Sequence, residues 1–259
     1  MLLLDDPNPS GVAELPSRLR FPLIHGVVRG HQPGDVFVDD TGAPALALVV
    51  SRFGFTHLSA ARSDLSTVEI VIQALGHERL RRRYLLWYDP PAPVLRRLEA
   101  RGDERSRTRE RIQFTLQNRS APDAPGSRPP GVTVEPVDER NIEECADFGL
   151  ELGRRFWRST EDFSARAMGT LVRETGRPAS LCYAAGVGDG RAEVDVVTLP
   201  DHRGRGLARL ACEAFMGRCL DSGLTPNWDC FADNEPSIRL ARTLGFVERA
   251  RYPFHTFNT

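Results

Sequence analysis

The residues best suited to chemistry lie in one run, Val197-Thr198-Leu199-Pro200-Asp201-His202-Arg203-Gly204-Arg205-Gly206-Leu207-Ala208. A β-branched strand end meets a proline, then two glycines flanked by arginines, then a long amphipathic segment. The glycines let the backbone turn sharply and approach a ligand closely. Free N–H groups at the start of the following helix, with the positive end of its dipole, favour a phosphate or pyrophosphate. Arg203 and Arg205 add guanidinium groups suited to phosphate oxygens. The third glycine of a dinucleotide fingerprint is missing, and so is the Gly-Lys-Ser/Thr of a P-loop. The run therefore reads as another kind of nucleotide-cofactor loop. An ordinary strand-to-helix turn, with glycines for geometry alone, is the competing reading.

A second segment follows a few tens of residues on: Trp228-Asp229-Cys230, then Asn234-Glu235-Pro236-Ser237-Ile238-Arg239-Leu240-Ala241-Arg242-Thr243-Leu244-Gly245-Phe246. The first run resembles the pyrophosphate loop, Arg/Gln-x-x-Gly-x-Gly/Ala, of the GNAT superfamily of acetyl-CoA-dependent N-acyltransferases. The second resembles the Asn-x-x-Ser/Ala-x-x-Leu-x-x-x-Leu-Gly-Phe element that follows it there. The Trp-Asp-Cys and Asn-x-x-Ser-x-x-Leu-Ala combination is similar to a bacterial branch that includes antibiotic self-resistance acetyltransferases. The resemblance is clear from about Gly131 to the end and faint before it.

The resemblance implies acetyl-CoA as cofactor. It assigns Arg203, Gly204, Arg205, Gly206, Leu207 and Ala208 to the pyrophosphate, and backbone groups of Val197 and Thr198 to the pantetheine arm, which pairs like an added strand. Asn234 and Ser237 join the cofactor-binding set; for Asn234 a helix cap before Pro236 is an equal reading. Glu193 and Asp195, two apart in a strand, share one face just before the loop, where many GNAT enzymes receive the amine. One carboxylate would act as base if burial raises its pKa, the other would bind a cationic substrate, and Glu193 is preferred as base. A solvent-facing edge strand is the alternative. Trp157, with Phe156 and Phe163, falls where the acceptor pocket is often built, although aromatics at this spacing also suit a core. The tyrosine that protonates the leaving thiolate in many relatives is replaced by Ala241; Ser237, Cys230, Tyr252 or water would have to compensate.

These residues need a scaffold. At 259 residues, 41% of them apolar, the chain suits two domains. The Pro/Gly/Ser-rich stretch after Asn118 divides it into residues 1–118, a linker at 119–130, and residues 131–259. The first part reads as a hairpin (35–38 and 45–50), a strand at 55–58, a helix at 65–75, a strand at 84–88, a helix at 94–100 and a strand at 111–116. The second reads as a strand at 132–134, helices at 139–152 (capped by Asp138) and 161–174, and a hairpin over 179–187 and 193–199. After the loop come a helix at 207–220, a strand at 228–231, a helix at 236–244 and a last strand at 251–257. The expected fold is α/β, two tandem GNAT-like mixed-sheet domains. The second is the complete acyltransferase. The first is expected to be a degenerate copy, with Ala60-Ala61-Arg62-Ser63-Asp64 in place of the loop; an unrelated α/β domain is the alternative reading.

Composition narrows the partners. A formal charge of −1 offers no footprint for nucleic acid. All 34 basic residues are arginine, in keeping with a GC-rich coding sequence. Met-Leu-Leu-Leu followed by Asp5 and Asp6 is no signal peptide, and no apolar run approaches the ~20 residues of a membrane span. Five cysteines without Cys-x-x-Cys suggest reduced thiols in the cytoplasm. Six scattered histidines give no metal site. The expected protein is a cytoplasmic monomer or homodimer that acetylates a primary amine of a small molecule by direct attack. A non-catalytic acyl-CoA sensor and a protein or peptide acetyltransferase are the alternatives.

Overall fold

The computed structural model describes residues 1–4, 12, 19–60, 65–81, 83–117 and 128–259. Most of the expected linker, and residues 61–64 of the segment expected to replace the loop in the first half, lie outside the described residues. The chain divides into two compact units. One holds Met1–Ile112, Phe231–Asp233 and Ala250–Thr259, the other Gln113–Cys230 and Asn234–Arg249.

In the first unit, strands β1 (Leu2–Leu3), β2 (Gly34–Val38), β3 (Leu46–Ser51) and β4 (Phe55–Ala60) pair antiparallel in sequence order. β4 then pairs parallel with β5 (Tyr84–Tyr88). Helix α1 (Pro22–Val28), α2 (Leu65–Leu75) and α3 (Ala92–Glu99) supply the helical layer. β3 is buried at every position, the mark of a strand covered on both faces. One apolar cluster joins its Leu48 and Val50 to Val71, Leu75, Trp87 and Leu98. A second joins Val27, Val36, Val49, Tyr88 and Tyr252.

The second unit repeats the plan. Antiparallel strands β7 (Val132–Pro136), β8 (Gly169–Glu174), β9 (Arg177–Gly188) and β10 (Arg191–Thr198) follow one another, and β10 pairs parallel with β11 (Thr225–Phe231). Helices α4 (Leu152–Arg155), α5 (Thr160–Arg166), α6 (Leu207–Asp221) and α7 (Glu235–Thr243) complete it, while β6 (Arg107–Leu116) and β12 (Phe246–Asn258) each give residues to both units. The β9–β10 hairpin closes on Asp189 and Gly190, both at positive φ (53° and 64°). Two left-handed residues match the right-handed twist of the strands they join. Asp-Gly there makes the hairpin legible in the sequence.

Three expectations are corrected. The single helix read at 139–152 is a 3-10 segment, Ile142–Phe148, followed by the short α4. Asn141, not Asp138, stands at its cap position, and Gly149 breaks the run at φ 70°. The helix read at 161–174 ends at Arg166, and its second half is strand β8. Thr170, Leu171 and Val172 are buried there, favouring a packed strand over a helix face. The last strand, read into the second domain, pairs through Phe254–Asn258 with β5 of the first unit. Phe254 and Phe257 are buried in that unit's two cores.

Candidate active site

The β10–β11 ladder is short. Arg191, Ala192 and Glu193 pair with Thr225, Pro226 and Asn227. β10 then runs on to Thr198 and β11 to Phe231 without a further pair. The strands fork after Glu193. At the same level β9 carries an extra residue, because Glu193 pairs with Gly186 but Val194 with Ala184. Such a bulge bends a strand and raises its local twist. The fork leaves the β11-facing edge of β10 open beyond Glu193. An amide-bearing arm can pair with such an edge as an extra strand would.

The loop continues from that edge. Pro200–His202 forms a 3-10 turn, and Gly204 and Gly206 stand at φ 75° and 77°. A Cβ at either would meet no atom within 4 Å, so the glycines serve the backbone conformation and leave open space beside it. Gly206 is the cap residue of α6, which carries no side-chain cap and no acidic residue in its first turn. The amino end of a long helix thus offers N–H groups and a positive dipole end to an anion. Leu207 is buried and anchors the first turn. Ala208 is half-buried. These residues fit the pyrophosphate of acetyl-CoA.

Side chains brace the loop in ways the motif did not reveal. Arg203 Nε donates to Thr198 O at 3.2 Å, folding back on the end of β10. Ser180 Oγ donates to Val197 O at 3.1 Å and lies 2.8 Å from Thr198 Oγ1. Glu174, the last residue of β8, accepts from His202 Nδ1 at 2.6 Å and from Arg205 Nη1 at 2.7 Å, both on Oε2. Those two partners, His202 first, hold its carboxyl below the usual carboxylate range. Glu174 fell inside a misread helix, and nothing in the sequence linked it to residues 28 and 31 positions away.

The expected base residues lie together on one face of β10. Cys182 and Tyr183 are neighbours in β9 and point to opposite faces. Cys182 meets Cys212 of α6, so Tyr183 points away from that helix. Asp195 pairs directly with Tyr183 across the ladder and accepts its hydroxyl hydrogen at 2.6 Å. Glu193 shares this face and is buried. Asn227, its ladder partner, is buried too and was not foreseen. Burial, helped by Asp195, pushes the Tyr183 phenol well above its usual value, and Arg155 of α4 lies near enough to oppose that shift.

Trp157 is fully buried, its indole N–H donating to Ala184 O at 3.2 Å and its ring edge-on to Phe163. It steadies β9 at the bulge and presents no free face to an acceptor. Phe156 is likewise buried. Asn234 caps α7, accepting from Ser237 N at 3.2 Å, which is the capping alternative weighed above. Ser237 Oγ in turn accepts from Trp228 Nε1 at 3.2 Å. Ala241 is wholly buried, so its position is core. Cys230 is buried in β11. Tyr252 belongs to the first unit and packs beside Phe21. A hollow of about 220 Å³, lined by Ile142, Glu143, Leu150, Leu152 and Thr160 among others, includes none of the loop or β10-face residues. Among the described residues no group of three His, Cys, Asp or Glu side chains is disposed to hold a metal ion, and no helix is long and apolar enough to cross a membrane.

Comparison with known proteins agrees with this geometry. The profile of the GNAT acetyltransferase family matches residues 18–255, well beyond the part where the motifs are clear. An uncharacterised N-acetyltransferase of Bacillus subtilis (strain 168), YdfB, is 26% identical over 240 residues, covering 90% of this chain and 89% of that protein. The crystal structure of a GCN5-related N-acetyltransferase-like protein from Streptococcus suis 89/1591 superposes with a TM-score of 0.72 at 22% identity, over 94% of this chain and 96% of that one. A tandem GNAT protein from the clavulanic acid biosynthesis pathway superposes at 0.61 and 17% identity, over 88% and 83%. These two structures speak for the fold, a mixed α/β arrangement used twice in tandem. The chain belongs to the GNAT acetyltransferase family and is an N-acetyltransferase.

Proposed function

We propose that the protein transfers an acetyl group from acetyl-CoA to a primary amine of a small molecule by direct attack of that amine. The observation that carries the reading is the fork after Glu193. It joins an open strand edge, a glycine loop at a helix amino end, and two carboxylates on one strand face. When bound, acetyl-CoA supplies a thioester already activated toward amines. Arg203, Arg205 and the N–H groups from Gly204 to Ala208 would hold its pyrophosphate, and the edge of Val197 and Thr198 its amide arm. Glu193 takes the proton that the acceptor's ammonium must lose, a role suited to a buried carboxylate. Asp195 provides a second negative charge for a cationic acceptor.

Direct attack, rather than transfer through an enzyme nucleophile, is supported by the thiols. All five cysteines are buried, and burial pushes Cys145 and Cys219 up to about 12. Such groups stay protonated and poorly nucleophilic. An amine-bearing antibiotic is one subclass of acceptor in keeping with the Trp-Asp-Cys and Asn-x-x-Ser sequence likeness.

Calorimetry with acetyl-CoA tests the reading. Wild type should bind saturably and Gly206→Trp should not, because the indole would fill the loop. A screen of small amines by thiol release should then find an acceptor. Saturable binding with acetylation of peptides alone would replace the small-molecule acceptor with a peptide. No binding by wild type would sink the cofactor assignment.

A further inference from the structure

We propose that the acceptor is a diamine, with Glu193 receiving the proton of the reacting ammonium and Asp195, held in place by Tyr183, binding the second. The inference rests on the small-molecule reading above and specifies the substrate class.

The two carboxylates differ in what surrounds them. Asp195 is half-buried, and among the described residues its one hydrogen-bond donor is the Tyr183 hydroxyl, at 2.6 Å on Oδ2. A short O–H···O⁻ bond of this kind is charge-assisted and strong. Tyr183 itself is fully buried on the central strand of a three-strand meander, opposite Gly169 on one side and Asp195 on the other. Its position is fixed by packing, and Trp157 pins the next backbone carbonyl. Tyr183 has its proton committed to Asp195 and keeps it, since its phenol is pushed upward. Asp195 thus has Oδ2 committed to Tyr183 and Oδ1 left for a ligand. Glu193, deeper and beside Asn227, sits at the fork where the open edge of β10 begins.

Residues two apart on a strand lie about 7 Å apart along its axis. A monoamine can satisfy only one carboxylate. An acceptor with two ammonium groups, separated by a few methylenes, can satisfy both. In the reaction one ammonium gives its proton to Glu193, and the freed nitrogen forms the new C–N bond. The acyl C–S bond breaks with its electron pair leaving on sulfur, and the second proton, shed by the attacking nitrogen as the amide forms, passes to that sulfur directly or through water. The second ammonium stays charged on Asp195 throughout. Tyr183 is thus a positioning residue that sets which carboxylate anchors.

The test uses the full-length protein and acetyl-CoA. Straight-chain diamines of about three to six carbons bracket the carboxylate spacing. Each is compared with the monoamine in which a methyl replaces the second ammonium. Wild type should prefer the best diamine in kcat/KM by at least about tenfold, the scale of a hydrogen bond to a charged group. Asp195→Asn should erase the preference. Tyr183→Phe, which removes one oxygen from a packed ring, should weaken it through the diamine KM rather than through kcat, with acetyl-CoA binding by calorimetry as the check on folding. Equal use of the paired amines by wild type, or a preference that survives Asp195→Asn, overturns the proposal. So does turnover restricted to amines with one charge, and in that case the small-molecule reading stands. Failure to acetylate any small amine would take both down together.

Discussion

The two units contain the same three-rung parallel ladder. In the first, Phe55, Thr56 and His57 pair with Leu86, Trp87 and Tyr88. In the second, Arg191, Ala192 and Glu193 pair with Thr225, Pro226 and Asn227. Each ladder stops while its first strand continues, but β5 ends with its ladder at Tyr88 whereas β11 runs on to Phe231, so the fork belongs to the second unit. A further difference lies beside the ladders. The register between β3 and β4 is uniform from Thr56 to Ala60, whereas β9 bulges opposite Glu193. The last paired residue is a buried histidine in the first unit and a buried glutamate in the second. Two positions on stand Ser59 and Asp195. The fork is a backbone feature of the second unit, and under the proposed function its chemistry comes from Glu193 and Asp195, where the first unit has His57 and Ser59.

That comparison can be broken most directly by changing the last paired residue of each ladder. Glu193→Gln should lower kcat/KM by about 100-fold or more, the usual worth of a general base, in a thiol-release assay. His57→Gln should leave the same assay unchanged. Loss of activity in the second variant with its acetyl-CoA binding intact would give the first unit a catalytic part.

Acid should find the first unit's weakness next. Burial pushes His57 down to about 4, opposed by its bond to Tyr88 O at 3.2 Å. Its folded pKa lies below the unfolded value near 6.5, so the unfolded chain takes up the proton first. This contribution is fully present above about pH 6.5 and is lost as pH falls toward about 4, for a total of about 3 kcal/mol. Urea unfolding at several pH values should show that slope in wild type and lose most of it in His57→Asn. Identical slopes would mean another group governs acid sensitivity.

Restoring the absent tyrosine gives a smaller effect. Ala241 is fully buried, so Ala241→Tyr should overpack the core by about 1–3 kcal/mol. It should also bring no gain in kcat, because the ring has no open side to reach a thiolate. A faster enzyme would show that α7 can yield. The smallest expected change is at Glu174. Its charge opposes the anion that the loop is proposed to hold, while its bond to exposed Arg205 is of the weak surface kind. Glu174→Gln should tighten acetyl-CoA binding a few-fold at low salt, with the gain fading as salt screens it. Unchanged or weaker binding in dilute buffer would make bracing, not charge, its main role.

Local signals carried much of this arrangement. The helix over Leu65–Leu75 and the strand over Tyr84–Tyr88 follow from apolar periodicity. Asp189-Gly190 announced its turn, and paired glycines announced the loop. What the sequence hid is what depends on distant partners. The run Thr170-Leu171-Val172 is too short for its β-branched residues to mark a strand alone, and pairing with β7 and β9 decides its form. The bulge at Ala185 has no residue signature, since alanine fits a strand or a bulge equally. Tyr183, Glu174 and Asn227 became visible only when register brought them beside Asp195, His202 and Glu193. Trp157 carried two readings in the sequence, and a buried N–H with a backbone partner favours core.

The last strand bears on how the protein comes to be made. Phe254–Asn258 complete the pairing of β5, Asn258 N donates to the Asp103 carboxylate, and Thr259 N donates to Arg83 O. A ribosome delivers most of the first unit's residues early and these only after the second unit's. Amino-terminal domains usually fold while the remainder is being synthesised. Here the first unit stays unfinished until residues 250–259 have been read, and the second unit has its residues in hand beforehand. The unit whose synthesis begins first is thus completed second, and a stop before Phe254 would remove the strand that pairs with β5.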